Sequence, residues 1–126
     1  MFDYMAIAQK YTPAGVTVTY RKALTGMAYP DGRMFAPKPV TRKSLYIYLH
    51  ECGHFNLGHF TNGKTKRYVE EYEAEKYAHD IMRLEGIPVP KSMTARAKRY
   101  VAYKIEQAQK RGLKKLDPKI KQYATK

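Results

Sequence analysis

From Leu45 to Leu57 the chain reads LYIYLHECGHFNL, an apolar segment broken by polar groups at His50, Glu51, His54 and Asn56. Thr41, just after Pro39, can cap a helix here by accepting a backbone N–H bond. A helix advances about 100° per residue, so His54 lies about 40° from His50 and Glu51 about 100° from it. Both imidazoles therefore leave one face, with the carboxylate beside them. Leu45, Leu49, Gly53 and Leu57 share that side, so the face belongs in a core. Burying two imidazoles and a carboxylate without partners costs several kcal/mol, about 2–7 for a single uncompensated polar group. The fold must supply those partners.

A metal ion is one such partner. Two histidines four apart with a glutamate after the first form the HExxH pattern. There the imidazoles bind zinc and the glutamate acts as general base. The plain alternative is a chance match on a solvated helix, which the apolar neighbours argue against. Cys52 falls at about 200°, on the back of the helix, and reads as packing. Gly53 lets another backbone approach closely.

A catalytic zinc needs a third protein ligand and an open position. The next helix, about Lys66 to Glu85, carries VEEYEAEKYAHDIM. With Glu71 at 0°, Glu75, Ala78 and Met82 fall within about 40° of it and Ala74 about 60° away. This is a stripe of small and apolar residues suited to packing on the first helix. Glu70 and Glu73 lie about 100° and 160° from Glu71 and read as solvated. Glu71 is therefore the expected third ligand, and Glu75 the expected acceptor for a histidine N–H. His79, one turn on, is a candidate for stabilising a transition state, or simply a packed histidine. His59 remains an alternative ligand. On a continuous helix it points away from His50, but Gly58 can break the helix and redirect it.

HECGHFNLGH followed by EYEAEKYAHDIM resembles the ImmA/IrrE-type zinc metallopeptidases, short gluzincins with HExxH on one helix and E-x-E-A-[N/D]-x-[F/Y]-A on the next. His50, Glu51, His54, Glu71, Glu73, Ala74, Tyr77 and Ala78 match that pattern, and Glu75 stands where the group has Asn or Asp. The resemblance covers about residues 14–85. It implies a zinc peptidase of bacteria, phages or mobile elements, often one that cleaves a repressor. The usual partner helix-turn-helix domain has no counterpart here.

Around this pair of helices the chain reads as α+β. Residues 2–11 suit a short amphipathic helix. GVTVTYRK alternates in the period of a strand, and Leu24 to Tyr29 and Arg33 to Ala36 suit two more, joined by a Pro30-Asp31-Gly32 turn. We expect a small antiparallel sheet, then the HExxH helix, a TNGK turn at Thr61 to Lys64, and the glutamate helix. A third long helix capped by Ser92 and running from about Met93 to Arg111, and a last one opened by Asp117 and Pro118, complete the chain.

The 126 residues carry 24 Lys and Arg against 11 Asp and Glu. Residues 91–126 hold 12 of the basic groups and 2 of the acidic ones. That uneven charge separates a zinc-metallopeptidase-like core, 1–90, from a basic helical extension, 91–126, packed on the core or trailing from it. Arg96, Arg99 and Lys110, with interleaved tyrosines, could follow a phosphate backbone or an acidic partner. A solubilising surface is the plainer alternative. One cysteine excludes an internal disulfide framework and suits a cytoplasmic setting. No apolar run is long enough to span a membrane, and the N-terminus does not read as a signal peptide. The leading expectation is a zinc metallopeptidase acting on a protein or peptide substrate. The competing one is a non-enzymatic zinc-binding protein whose basic tail docks on nucleic acid or an acidic partner.

Overall fold

The capping expected at Thr41 is present and sets where the central helix begins. In the computed structural model, which describes residues 2–60 and 66–125, the Thr41 hydroxyl accepts from the Ser44 N–H at 3.1 Å. Ser44 Oγ in turn accepts from the Thr41 N–H at 2.9 Å. This reciprocal box satisfies two donors that a helix start leaves orphaned. From it α2 runs Arg42–Asn56, with every side chain from Ser44 to His54 buried.

Before it come α1 (Tyr4–Tyr11), β1 (Thr17–Arg21), β2 (Met27–Ala28) and β3 (Arg33–Pro37). After it come α3 (Arg67–Leu84), α4 (Lys91–Lys110) and α5 (Pro118–Thr125). The class is α+β, as expected. Three details differ. The sheet is mixed, in the order β1-β3-β2, with β1 parallel to β3 and only β2 antiparallel to it. The turn at 29–32 closes a hairpin between β2 and β3, as Gly32 at φ +95° allows. Residues 22–26 then carry the chain from β1 across to the far edge, so β1 and β3 run the same way. The strand expected over 24–29 shrinks to two residues, because Thr25 and Gly26 turn out of the sheet toward α2. Finally, α4 opens at Lys91 with Pro90 as its cap residue, two positions before the expected Ser92 cap. The expected TNGK turn lies outside the described residues.

One core joins Met34 and Ala36 of β3, Leu45, Leu49 and Cys52 of α2, Ala78 and Met82 of α3, and Met93 and Ala97 of α4. Each fully buried Leu or Met side chain in it contributes about 1.5–3 kcal/mol. A second cluster holds Tyr68 of α3, Val101 and Ile105 of α4, and Ile120 of α5. The basic extension is therefore packed on the core through α4, not trailing from it. Burial pushes the Cys52 thiol up to about 12, so it stays a neutral packing group.

At Gly53, α2 receives a side chain of α3. A Cβ there would sit 3.0 Å from the Tyr77 ring, so what approaches this glycine is an aromatic side chain and not the backbone expected. Gly53→Val should lower the unfolding free energy by about 1–3 kcal/mol through overpacking. Gly53→Ala should stay near neutral, since alanine recovers about 1 kcal/mol of helix propensity. Denaturant midpoints check this. Equal stability for the valine and alanine variants would show that the helices can move apart.

Candidate metal centre

α2 delivers His50, Glu51 and His54 to one side, and α3 delivers Glu71 and Glu75 against them, all buried. His50 Nε2 lies 3.2 Å from Glu71 Oε1, and His54 Nε2 lies 3.1 Å from Glu71 Oε2. The two Nε2 atoms are 3.3 Å apart. The structure thus brings together all three expected ligands.

The donor chemistry fits a cation at their centre. His50 Nδ1 faces the Glu75 carboxylate. Tyr46 donates its hydroxyl to Glu75 Oε2 at 3.1 Å. A carboxylate only accepts, so His50 turns an Nδ1 proton toward Glu75. Its Nε2 faces the Glu71 carboxylate, another acceptor; burial would lower the His50 pKa, but Glu75 and Glu51 prevail and hold it well above its ordinary value, so a proton sits there too, in the place a metal would take. Such a group needs positive charge at its centre, from protons or from a metal. These atoms lie near enough to one another to converge on one metal ion. The buried His/Glu group can hold a metal ion.

Glu51 also groups with His50 and His54, one ligand atom from each lying within 4.8 Å of the others. Its Oε2 is 4.0 Å from His50 Nε2, however, farther than Glu71 is from either imidazole. Glu71 thus lies closer to both imidazoles, and Glu51 stands beside them. Burial raises the Glu51 carboxyl to about 7, with the His50 ring opposing that rise. Burial alone would raise Glu71 too, but its hydrogen bonds with His50 and His54 prevail and hold it far below the usual carboxylate range.

Gly26 carries no signal in the sequence, yet it positions Glu51. A Cβ there would sit 2.6 Å from Glu51 Oε2. The chain leaving β1 therefore lies directly on the carboxylate, and only glycine leaves room for it.

His79 is placed away from the cleft. It donates from Nδ1 to the Glu75 carbonyl at 2.8 Å, and its Nε2 accepts from the Thr94 hydroxyl at 3.0 Å. It fastens α3 to α4, and the expected transition-state role has no support in this position. His59 is buried, but its Nδ1 lies 2.9 Å from His54 Nδ1, the nitrogen facing away from Glu71. It is not placed as a ligand. Glu73, expected to be simply solvated, lies 2.9 Å from His59 Nε2. Glu70 lines the cleft mouth.

The cleft over this centre is walled by Thr25 to Ala28 on one side and by Met93, Arg96 and Tyr100 of α4 on the other. The Tyr100 ring stands 6.5 Å from that of His50. Of the basic positions singled out, Arg96 lines this cleft, Arg99 lines a separate groove against α5, and Lys110 is exposed at the end of α4. Compared with known protein families, curated proteins and solved structures, the chain finds no match in any of the three.

One metal ion per chain is expected. His54→Ala should lose it together with part of the folded stability, because metal binding is coupled to folding. Glu71→Gln should weaken binding more than Glu73→Gln, since only Glu71 contacts both imidazoles. Elemental analysis and chelator titration test this. Full metal content in His54→Ala would remove that residue from the ligand set.

Proposed function

We propose that the chain is a zinc-dependent metallopeptidase, of the ImmA/IrrE type that its two helices resemble. His50, His54 and Glu71 would hold zinc. When bound, zinc supplies Lewis acidity toward a scissile carbonyl and toward water. Glu51 takes a proton from the attacking water and returns it to the leaving amine, as a buried carboxylate near neutrality can do. Tyr100 and the 25–28 segment confine the substrate over these groups and exclude bulk water.

The observation that carries this reading is the placement of Glu51. It is a buried carboxylate 4.0 Å from His50 Nε2, beside the ligand set and lining the cleft. A purely structural zinc site closes its coordination with a fourth protein ligand, whereas a catalytic site keeps a position open. His59, the residue that would have closed it, is turned to the outer nitrogen of His54. That disfavours the alternative of a non-enzymatic zinc-binding protein.

A protein or peptide is the proposed substrate. Arg67 and Arg96 line the cleft beside Glu51, Glu70, Glu71 and Glu75, and the helix that carries Arg96 belongs to a stretch with 12 basic and 2 acidic residues, which favours an acidic segment approaching along α4. With Arg96 in the cleft wall, the three basic positions of α4 do not form one uninterrupted nucleic-acid track, so an acidic protein partner is preferred to nucleic acid. Among the described residues no helix is long and apolar enough to cross a membrane. The single cysteine is consistent with the cytoplasmic setting we propose.

Glu51→Gln should retain the metal and the fold yet lose at least about 100-fold in peptide hydrolysis, the scale of a missing general base. The assay is mass-spectrometric cleavage of an acidic peptide library by the zinc-loaded protein. Wild-type turnover in the variant would take Glu51 out of the chemistry.

A further inference from the structure

His59 and Glu73 fall outside the ligand set and the cleft, yet they are ordered against it. The end of α2 explains how. Gly58 takes φ +72°, its N–H bonds to the Phe55 carbonyl at 3.1 Å, and the His59 N–H bonds to the His54 carbonyl at 3.1 Å. This is a Schellman turn, which folds the second residue past the cap back onto the last helical turn. The contact there is usually between apolar groups. Here it is between two imidazoles, His54 Nδ1 and His59 Nδ1, 2.9 Å apart. The His59 side chain is 1% exposed, and its other nitrogen meets Glu73 Oε1 at 2.9 Å.

We propose that Glu73 and His59 form a relay that sets His54 in its metal-binding tautomer, a role that rests on the zinc reading given above. The logic is hydrogen-bond complementarity. The Glu73 carboxylate can only accept, so His59 carries its proton on Nε2. A neutral His59 then offers only a lone pair at Nδ1. His54 must donate to it from Nδ1, which leaves the His54 Nε2 lone pair facing His50 and Glu71. With the opposite tautomer at His59, two acceptors would face each other at 2.9 Å on the Glu73 side. A surface carboxylate thus dictates, through two rings, which nitrogen of a ligand histidine is free. His59 and Glu73 are positioning residues and touch neither metal nor substrate.

Glu73 is 45% exposed, so its substitution spares the core and separates positioning from folding. The experiment is zinc affinity of the full chain by competition with a chromogenic chelator. It compares wild type with Glu73→Gln, His59→Leu and His59→Asn. Glu73→Gln should weaken zinc by about 10-fold or more, the usual scale for losing such a partner, with unchanged melting of the zinc-free protein. A glutamine can donate to His59 Nε2 and so permits the wrong tautomer. His59→Leu should weaken zinc at least as much. His59→Asn should recover part of the loss, because its side-chain oxygen can accept from His54 near the place of Nδ1. Nitrogen-15 spectra of the zinc-loaded wild type should show His54 protonated at Nδ1 and His59 at Nε2. Wild-type zinc affinity in both Glu73→Gln and His59→Leu, or a His59 protonated at Nδ1, would overturn the relay and leave the zinc site standing. A wild-type chain that binds no zinc would overturn both readings.

Discussion

The contact between α2 and α3 buries two imidazoles and three carboxylates within one small volume, and the rest of the structure answers that demand. An unpaired ionised group in such a place is costly, and breaking one member of a buried pair costs about 3–5 kcal/mol. Four of the five therefore have a close neighbour of complementary chemistry. Glu71 bridges the two imidazoles, Glu75 takes the outer nitrogen of His50, and Tyr46 holds Glu75. The small residues follow from the same demand. Ala74 and Ala78 are fully buried on α3, and Gly53 admits the Tyr77 ring. Larger residues would part the helices and separate the charges from their partners.

The basic C-terminal region takes part in the same arrangement. Met93 and Ala97 complete the main core, and Tyr100 and Arg96, on the adjoining face of α4, form a wall of the cleft. His79 ties that wall down by bonding Thr94 with one nitrogen and the Glu75 backbone with the other. A residue whose spacing suggests catalysis is thus spent on holding α4 against α3. The charge asymmetry along the chain is real, but it does not mark a structural boundary, because a helix can be cationic on one face and fully packed on another.

What was legible in the sequence was what helical phase alone decides. His50, His54, Glu71 and Glu75 converge because 3.6 residues per turn puts them on facing stripes. Thr41 caps because the capping pattern is local. The less legible features depend on where the chain goes between elements. The parallel pairing of β1 with β3 is set by the path of residues 22–26, which no alternation pattern records. Gly26 matters only because that path crosses Glu51. Phase placed Glu73 in solvent, and its side chain is indeed half exposed, but the Schellman turn at Gly58 brings His59 to it. A histidine one residue past a glycine at a helix end was the available signal, and its meaning is visible only once the turn has folded back.

The two histidines of this group consequently have unlike supports. His50 is held by Glu75, which Tyr46 holds in turn, both inside the protein, where water and salt screen little. His54 is held by a buried imidazole whose own anchor is a half-exposed carboxylate. The inner support is as rigid as the α2–α3 packing and is inseparable from it, so it cannot change without the fold changing. The outer support hangs on one surface group and one turn. Its contribution is smaller, because a charge in contact with solvent gains little from its partner, but it can be altered without disturbing the core. The group thus has one histidine fixed by the fold and one set by a surface contact, and under the proposed relay the second is the place where metal affinity would be tuned.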